Sequence, residues 1–155
     1  MRPTRRSAVL DRLDVLPGAW TTEASNGGRV LVRGTASFDW IEGGAFLVAR
    51  ADAGELAPEW QGHEPFPTTA IIGADDGSGT FSYAYADARG VSRVYAMTLD
   101  GDGRWALTGR PGPDFHQRFA ATVGRDAIDG RWERSADGRD WELDFELRYA
   151  RVSGS

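Results

Sequence analysis

The sequence predicts an all-β protein: an antiparallel up-and-down β-barrel of about ten strands, closed at one end by a short N-terminal helix. Three observations carry this. From Trp20 onward nearly every run of residues alternates between apolar and polar side chains, the period of a half-buried strand. The runs are short and separated by Gly-rich pairs such as Gly27-Gly28, Gly43-Gly44, Asp76-Gly77 and Asp137-Gly138. Such pairs tolerate the positive φ of tight hairpin turns, so neighbouring strands run antiparallel rather than through helical crossovers. The third observation is an aromatic at the head of the first strand, in Leu16-Pro17-Gly18-Ala19-Trp20, facing an arginine at the foot of the last, in Leu147-Arg148-Tyr149-Ala150-Arg151. If the first and last strands meet, as barrel closure requires, Arg151 lies across the Trp20 indole as a cation–π contact.

Taken in order, residues 4–15 form one helix, with Val9, Leu10, Leu13 and Leu16 at near-helical spacing and Pro17 as its terminator. It is placed to plug one barrel end. Strands are expected over 19–24, 29–41, 45–51, 68–74, 80–86, 91–100, 104–110, 115–124, 127–135 and 140–151. Asp100-Gly101-Asp102-Gly103 is a hairpin turn and not a calcium loop, because the twelfth position from Asp100 is Pro111 rather than a bidentate Glu. The connection over 52–67 is long for a hairpin and carries Trp60, His63 and Phe66. Loops of this size in a compact domain tend to be functional, and this one is expected to fold over the barrel mouth as a lid.

The 155 residues fit a single domain, and a net charge of −5 gives no basic field for nucleic acid or an anionic membrane. The chain has no Cys, which removes disulfides and zinc-thiolate sites and fits a cytoplasmic location. All 18 basic residues are Arg, so lysine Schiff-base chemistry is excluded while planar groups suited to carboxylates and phosphates remain. No segment reaches the length of a membrane span, so no membrane insertion is expected. A closed barrel has no free edge for strand pairing, so the expected state is a monomer or a loose homodimer.

Alternation also assigns an inward face. Trp141, Leu143, Phe145, Leu147, Tyr149 and Arg151 are expected inside on the last strand, and Trp132 with Arg134 on the one before it. Elsewhere Trp40, Phe81, Tyr83, Tyr85, Arg93, Tyr95, Phe115, Gln117 and Phe119 take inward parity. A face mixing aromatics with Arg and Gln is poor material for a dry core, because buried polar groups need partners. It suits a lined cavity. The ligand-binding set expected from this is Trp40, Tyr83, Tyr85, Arg93, Tyr95, Gln117, Trp132, Arg134 and Tyr149, around a small hydrophobic molecule with a polar or acidic head.

The Gly18-Ala19-Trp20 element with a terminal-strand Arg resembles the closure signature of the lipocalin and fatty-acid-binding barrels, the calycin group. The phrases Tyr85-Ala86-Asp87-Ala88-Arg89-Gly90, Gly130-Arg131-Trp132-Glu133 and Asp137-Gly138-Arg139-Asp140-Trp141-Glu142 are similar to a bacterial lipocalin-like family with no assigned function. The resemblance implies binding of a small hydrophobic ligand and requires no cofactor or metal. The strand count is nearer to fatty-acid-binding and nitrobindin-type barrels, some of which hold haem through a histidine near the C-terminal end. The last strand here has no His, so a haem alternative falls to His63 or His116. A second alternative is an isomerase or cyclase on the same barrel. It would use His116 oriented by Asp114, or a cavity Tyr–Arg pair, for proton transfer.

Overall fold

In the computed structural model, which describes residues 7–153, ten antiparallel strands form a closed barrel. They are β1 (Gly18–Asn26), β2 (Arg29–Ile41), β3 (Phe46–Leu56), β4 (Thr68–Asp75), β5 (Thr80–Asp87), β6 (Ser92–Leu99), β7 (Arg104–Gly112), β8 (Phe115–Val123), β9 (Ala127–Ser135) and β10 (Glu142–Arg151). Each strand pairs with its sequence neighbours, and β1 pairs with β10 to close the ring. This is the up-and-down topology that the hairpin turns predict. The helix is a 3-10 helix over Ala8–Val15, capped by the Ser7 hydroxyl. Residues 4–6 of the expected helix lie outside the described residues. No helix among the described residues is long and apolar enough to cross a membrane.

The helix buries Leu10, Leu13 and Leu16 against the barrel core, which includes Trp20, Phe38, Leu47 and Ile72. Arg12 also donates to the Gly79 carbonyl in the β4–β5 turn, 3.4 Å away, which ties the helix to the same barrel end. At that end Trp20 is fully buried, and its indole N–H donates to the Leu16 carbonyl at 2.9 Å.

Arg151 completes the seam. It is the register partner of Trp20, and its guanidinium carbon lies 4.1 Å from the ring centroid. Its Nε donates to the Arg125 carbonyl at 2.7 Å, one terminal nitrogen to Pro17 at 2.8 Å and the other to Val15 at 2.9 Å. One planar side chain thus joins β10, the β8–β9 turn and the helix–β1 turn, an arrangement that only a forked donor can make.

Two expectations about elements need correction. The long loop does not begin at Asp52: β3 runs on to Leu56, paired with β2 across a bulge at Arg33/Gly34, so the connection is residues 57–67. On β10 the register shifts between Leu143 and Phe145. This bulge reverses the side-chain parity before it. Leu143 therefore pairs with outward-facing Glu133, and Trp141 lies outside with the Arg118 guanidinium 4.1 Å from its ring centroid, while Asp144 turns to the interior.

Replacing Arg151 removes three hydrogen bonds to carbonyls and the contact over Trp20. Arg151→Ala is expected to lower unfolding free energy by roughly 2–4 kcal/mol in urea melts. Arg151→Lys, which keeps the charge but not the fork, is expected to recover less than half of it. A loss below about 0.5 kcal/mol for the alanine variant would refute the seam's role.

Candidate functional site

The end of the barrel opposite the helix opens into a cavity of about 480 Å³. That volume falls within the range of small-molecule sites. Ten strands enclose a wider interior than eight, which side chains alone can fill. An aromatic series runs along the wall from floor to mouth. Trp105 meets Phe119 at a centroid separation of 5.0 Å, Phe119 meets Trp132 at 5.1 Å, and Trp132 meets Phe145 at 6.5 Å. Phe145 in turn meets Trp60 of the 57–67 loop edge to face at 6.3 Å.

Glycines make room for this wall. A Cβ on Gly130 would stand 2.7 Å from the Phe119 ring, and one on Gly109 would stand 2.5 Å from the Tyr95 ring. Both rings therefore pack directly on neighbouring backbone, which any other residue would displace.

The 57–67 connection lies over the mouth, with Trp60, His63 and Phe66 all lining the cavity. Glu59 pairs with Arg29 at the start of β2. On the other side, the Ala88 N–H is shared between the Pro65 and Pro67 carbonyls at 3.2 and 3.1 Å. The turn bearing Ala88 is held by Asp87, whose carboxylate accepts from the Tyr85 hydroxyl at 2.7 Å and from Arg89 at 2.7 Å. The Arg89 hydrogen bond holds the Asp87 carboxyl well below the usual carboxylate range, with Tyr85 contributing, against the opposing effect of burial.

Deeper in, the Gln117 side-chain oxygen accepts from the Tyr95 hydroxyl at 2.8 Å and from Arg93 at 3.3 Å. Arg93 also lies 5.9 Å from the Phe115 ring centroid. Among the described residues Arg93 has no carboxylate partner, whereas Arg89 is held by Asp87. Burial pushes the Tyr83, Tyr85, Tyr95 and Tyr149 hydroxyls up from the usual tyrosine value, so all four remain neutral donors.

Seven of the nine expected binding residues line this one cavity: Tyr83, Tyr85, Arg93, Tyr95, Gln117, Trp132 and Tyr149. Two do not. Trp40 lies beyond Phe38 towards the helix end and packs against the closed core. Arg134 has inward parity, in register with Gln117, but its head turns out at the rim, 3.0 Å from Glu142 and 3.9 Å from Asp144. A cation with two carboxylates in reach is drawn to them rather than to an apolar interior. Asp144 is half-buried at the mouth, and burial raises its carboxyl above the usual range, Glu142 adding to this and Arg134 opposing it.

His116 and Asp114 are not part of the cavity lining. Asp114 is exposed in the β7–β8 turn, and His116 faces outward beside Gly138, with no hydrogen bond between the two. Trp105 and Arg89, both in the lining, escape the reading of inward faces. Trp105 alternates with Leu107 at the head of β7, a pattern sufficient to place it inside, whereas Arg89 belongs to a turn that alternation does not describe.

Asp87→Asn is expected to cost about 1–3 kcal/mol at pH 7, because the Arg89 and Tyr85 donors lose a charged acceptor. A depressed carboxyl contributes stability that is fully present above its unfolded value, near pH 4, and is lost as the pH falls through its folded value. The gap between wild type and Asp87→Asn should therefore be smaller at pH 3 than at pH 7 in urea melts. An equal gap at both would exclude the charge as its source.

No protein-family model matches the chain, and neither does any curated protein. Among solved structures, the crystal structure of Rv2717c from M. tuberculosis is similar in fold, with a TM-score of 0.62 and 15% identity over 96% of this chain and 99% of that one. A protein of unknown function from the DUF3598 family of Nostoc punctiforme also aligns, at 10% identity over 94% of this chain and 100% of that one. Its TM-score of 0.29 is too low to carry an argument. The first of these shows that the fold is shared and nothing about activity.

Proposed function

We propose that this barrel binds a small, largely apolar ligand whose acidic head meets Arg93. The observation that carries the reading is a guanidinium with no carboxylate partner among the described residues, in the lining of an aromatic-walled cavity of about 480 Å³. Arg93 is half-buried, and a cation partly withdrawn from water gains from an anion beside it, whereas Gln117 supplies only a neutral acceptor. A ligand carboxylate would complete the fork of Arg93, while the rings of Trp132, Phe115 and Phe145 cover its apolar body. Kinship with lipocalin-like barrels belongs to the same proposal, supported by the Trp20–Arg151 seam and by a cavity of small-ligand size.

The isomerase or cyclase alternative keeps only its Tyr–Arg version, since His116 and Asp114 stand apart from the cavity. The haem alternative is favoured by one observation: His63 lines the mouth. It predicts that haemin added to the purified protein gives a shifted Soret band that His63→Ala abolishes. No shift in the wild type removes that reading.

For the main proposal, 2-naphthoate and the neutral 2-naphthalenemethanol serve as probes by tryptophan quenching or calorimetry. Arg93→Met is expected to weaken naphthoate by roughly 10- to 100-fold and the alcohol by less than about threefold. Arg134→Met should leave both within about threefold of wild type. Equal losses of both probes in Arg93→Met would refute the pairing.

A further inference from the structure

All four tyrosines of the chain line the cavity, but their hydroxyls are not in equivalent positions. The hydroxyls of Tyr85 and Tyr95 are taken, by Asp87 and Gln117. Those of Tyr83 and Tyr149 have no hydrogen-bond partner among the described residues, and neither oxygen is sealed off within the packed core. Both rings line the same cavity, and Tyr149 is one of the phenols that raise the Tyr83 hydroxyl above its ordinary value, after burial. Tyr149 packs against Trp20, Phe38 and Trp105, where a phenylalanine ring would fill the same space. Trp105 adds a third unused donor, since its buried indole N–H also lacks a partner. The closed barrel makes no use of these hydroxyls, and a ligand that covered them without bonding to them would leave them unpaired at a cost.

We propose that the cavity selects an oxygenated ligand: an acid-bearing ring system with a carbonyl or hydroxyl oxygen at its inner end, held by Tyr83 and Tyr149. This rests on the binding proposal above and names the ligand class of the same site. A saturated fatty acid would leave both phenols dry. A ring oxygen would accept from one phenol or both, and the aromatic walls suit flat rings better than a flexible chain. The strand register sets the spacing. Arg93 stands opposite Tyr85, and Tyr83 stands opposite Tyr95, two residues further in. At the rise of a β-strand their backbone positions are about 7 Å apart, and a ligand with its acid and inner oxygen separated on this scale matches that spacing.

The test compares 6-hydroxy-2-naphthoate with 2-naphthoate on wild-type protein, Tyr83→Phe, Tyr149→Phe and the double variant. The added hydroxyl is expected to improve wild-type affinity about tenfold, the worth of one hydrogen bond, and the advantage should vanish in the double variant. Plain naphthoate should bind the double variant as well as wild type or better. The ligand-free double variant should also melt no lower than wild type, because neither hydroxyl has a partner to lose. Equal affinity of the two probes for the wild type, with Arg93→Met still weakening both, would overturn this inference and leave the binding proposal standing. Binding of neither probe would overturn both. An advantage that survives in the double variant would place the oxygen elsewhere and refute the assignment.

Discussion

Closure of the ring at the β1–β10 seam is the constraint on which the rest of the structure depends. An open ten-stranded sheet would expose two edges and could not hold a lined interior. Backbone pairing from Trp20 to Ser25 against Glu146 to Arg151 joins those edges, and the Arg151 side chain adds contacts that no ladder bond can make. Its three donors each take a backbone carbonyl at the same end, from Arg125, Pro17 and Val15. The helix is brought to that end by the same contacts. One end is thereby sealed, and the cavity can open only at the other.

The two ends differ in chemistry as well as shape. Leu10, Leu13, Trp20 and Leu47 pack without space between them near the helix, giving a floor that needs no ligand. Towards the mouth the inward positions pass to Tyr, Gln and Arg, and the volume is not filled. The outer wall carries cross-strand pairs such as Arg118–Glu133 and Arg148–Asp129, at 2.8 and 3.1 Å. Arg148–Asp129 is exposed and adds little stability, while Arg118–Glu133 is part-buried. Among the described residues Arg93, in the cavity lining, has no such carboxylate partner.

The loop over the mouth is tied down at each side by different forces. Glu59 is paired with Arg29 in the open, where salt screens the attraction, while Ala88 holds Pro65 and Pro67 through backbone bonds. Trp60 against Phe145 joins the loop to the aromatic wall of the cavity. The loop and the cavity wall thus share ring contacts. Asp87 links the two systems, since it fixes the turn that holds the loop and also accepts from the cavity's Tyr85.

Local chemistry determined the barrel and most of its lining. Alternation is a property of each strand alone, and Gly-rich pairs make turns wherever they occur, so strand order and the faces of Tyr83, Tyr95, Gln117 and Trp132 follow from the chain itself. The Trp20–Arg151 contact was equally legible, because closure forces the ends together. The tertiary structure decided what parity does not encode. The bulge before Phe145 depends on fitting β10 to β9 and reverses Trp141, Leu143 and Asp144. Arg134 leaves the interior because Glu142 and Asp144 come within reach of it only across that bulge. Trp40 has the right parity at the wrong depth, since alternation gives a residue's side of the sheet and not its height along the barrel. The Tyr95 hydroxyl finds its partner, Gln117, on another strand, which β6 alone does not record, whereas Tyr85 finds Asp87 two residues along its own strand.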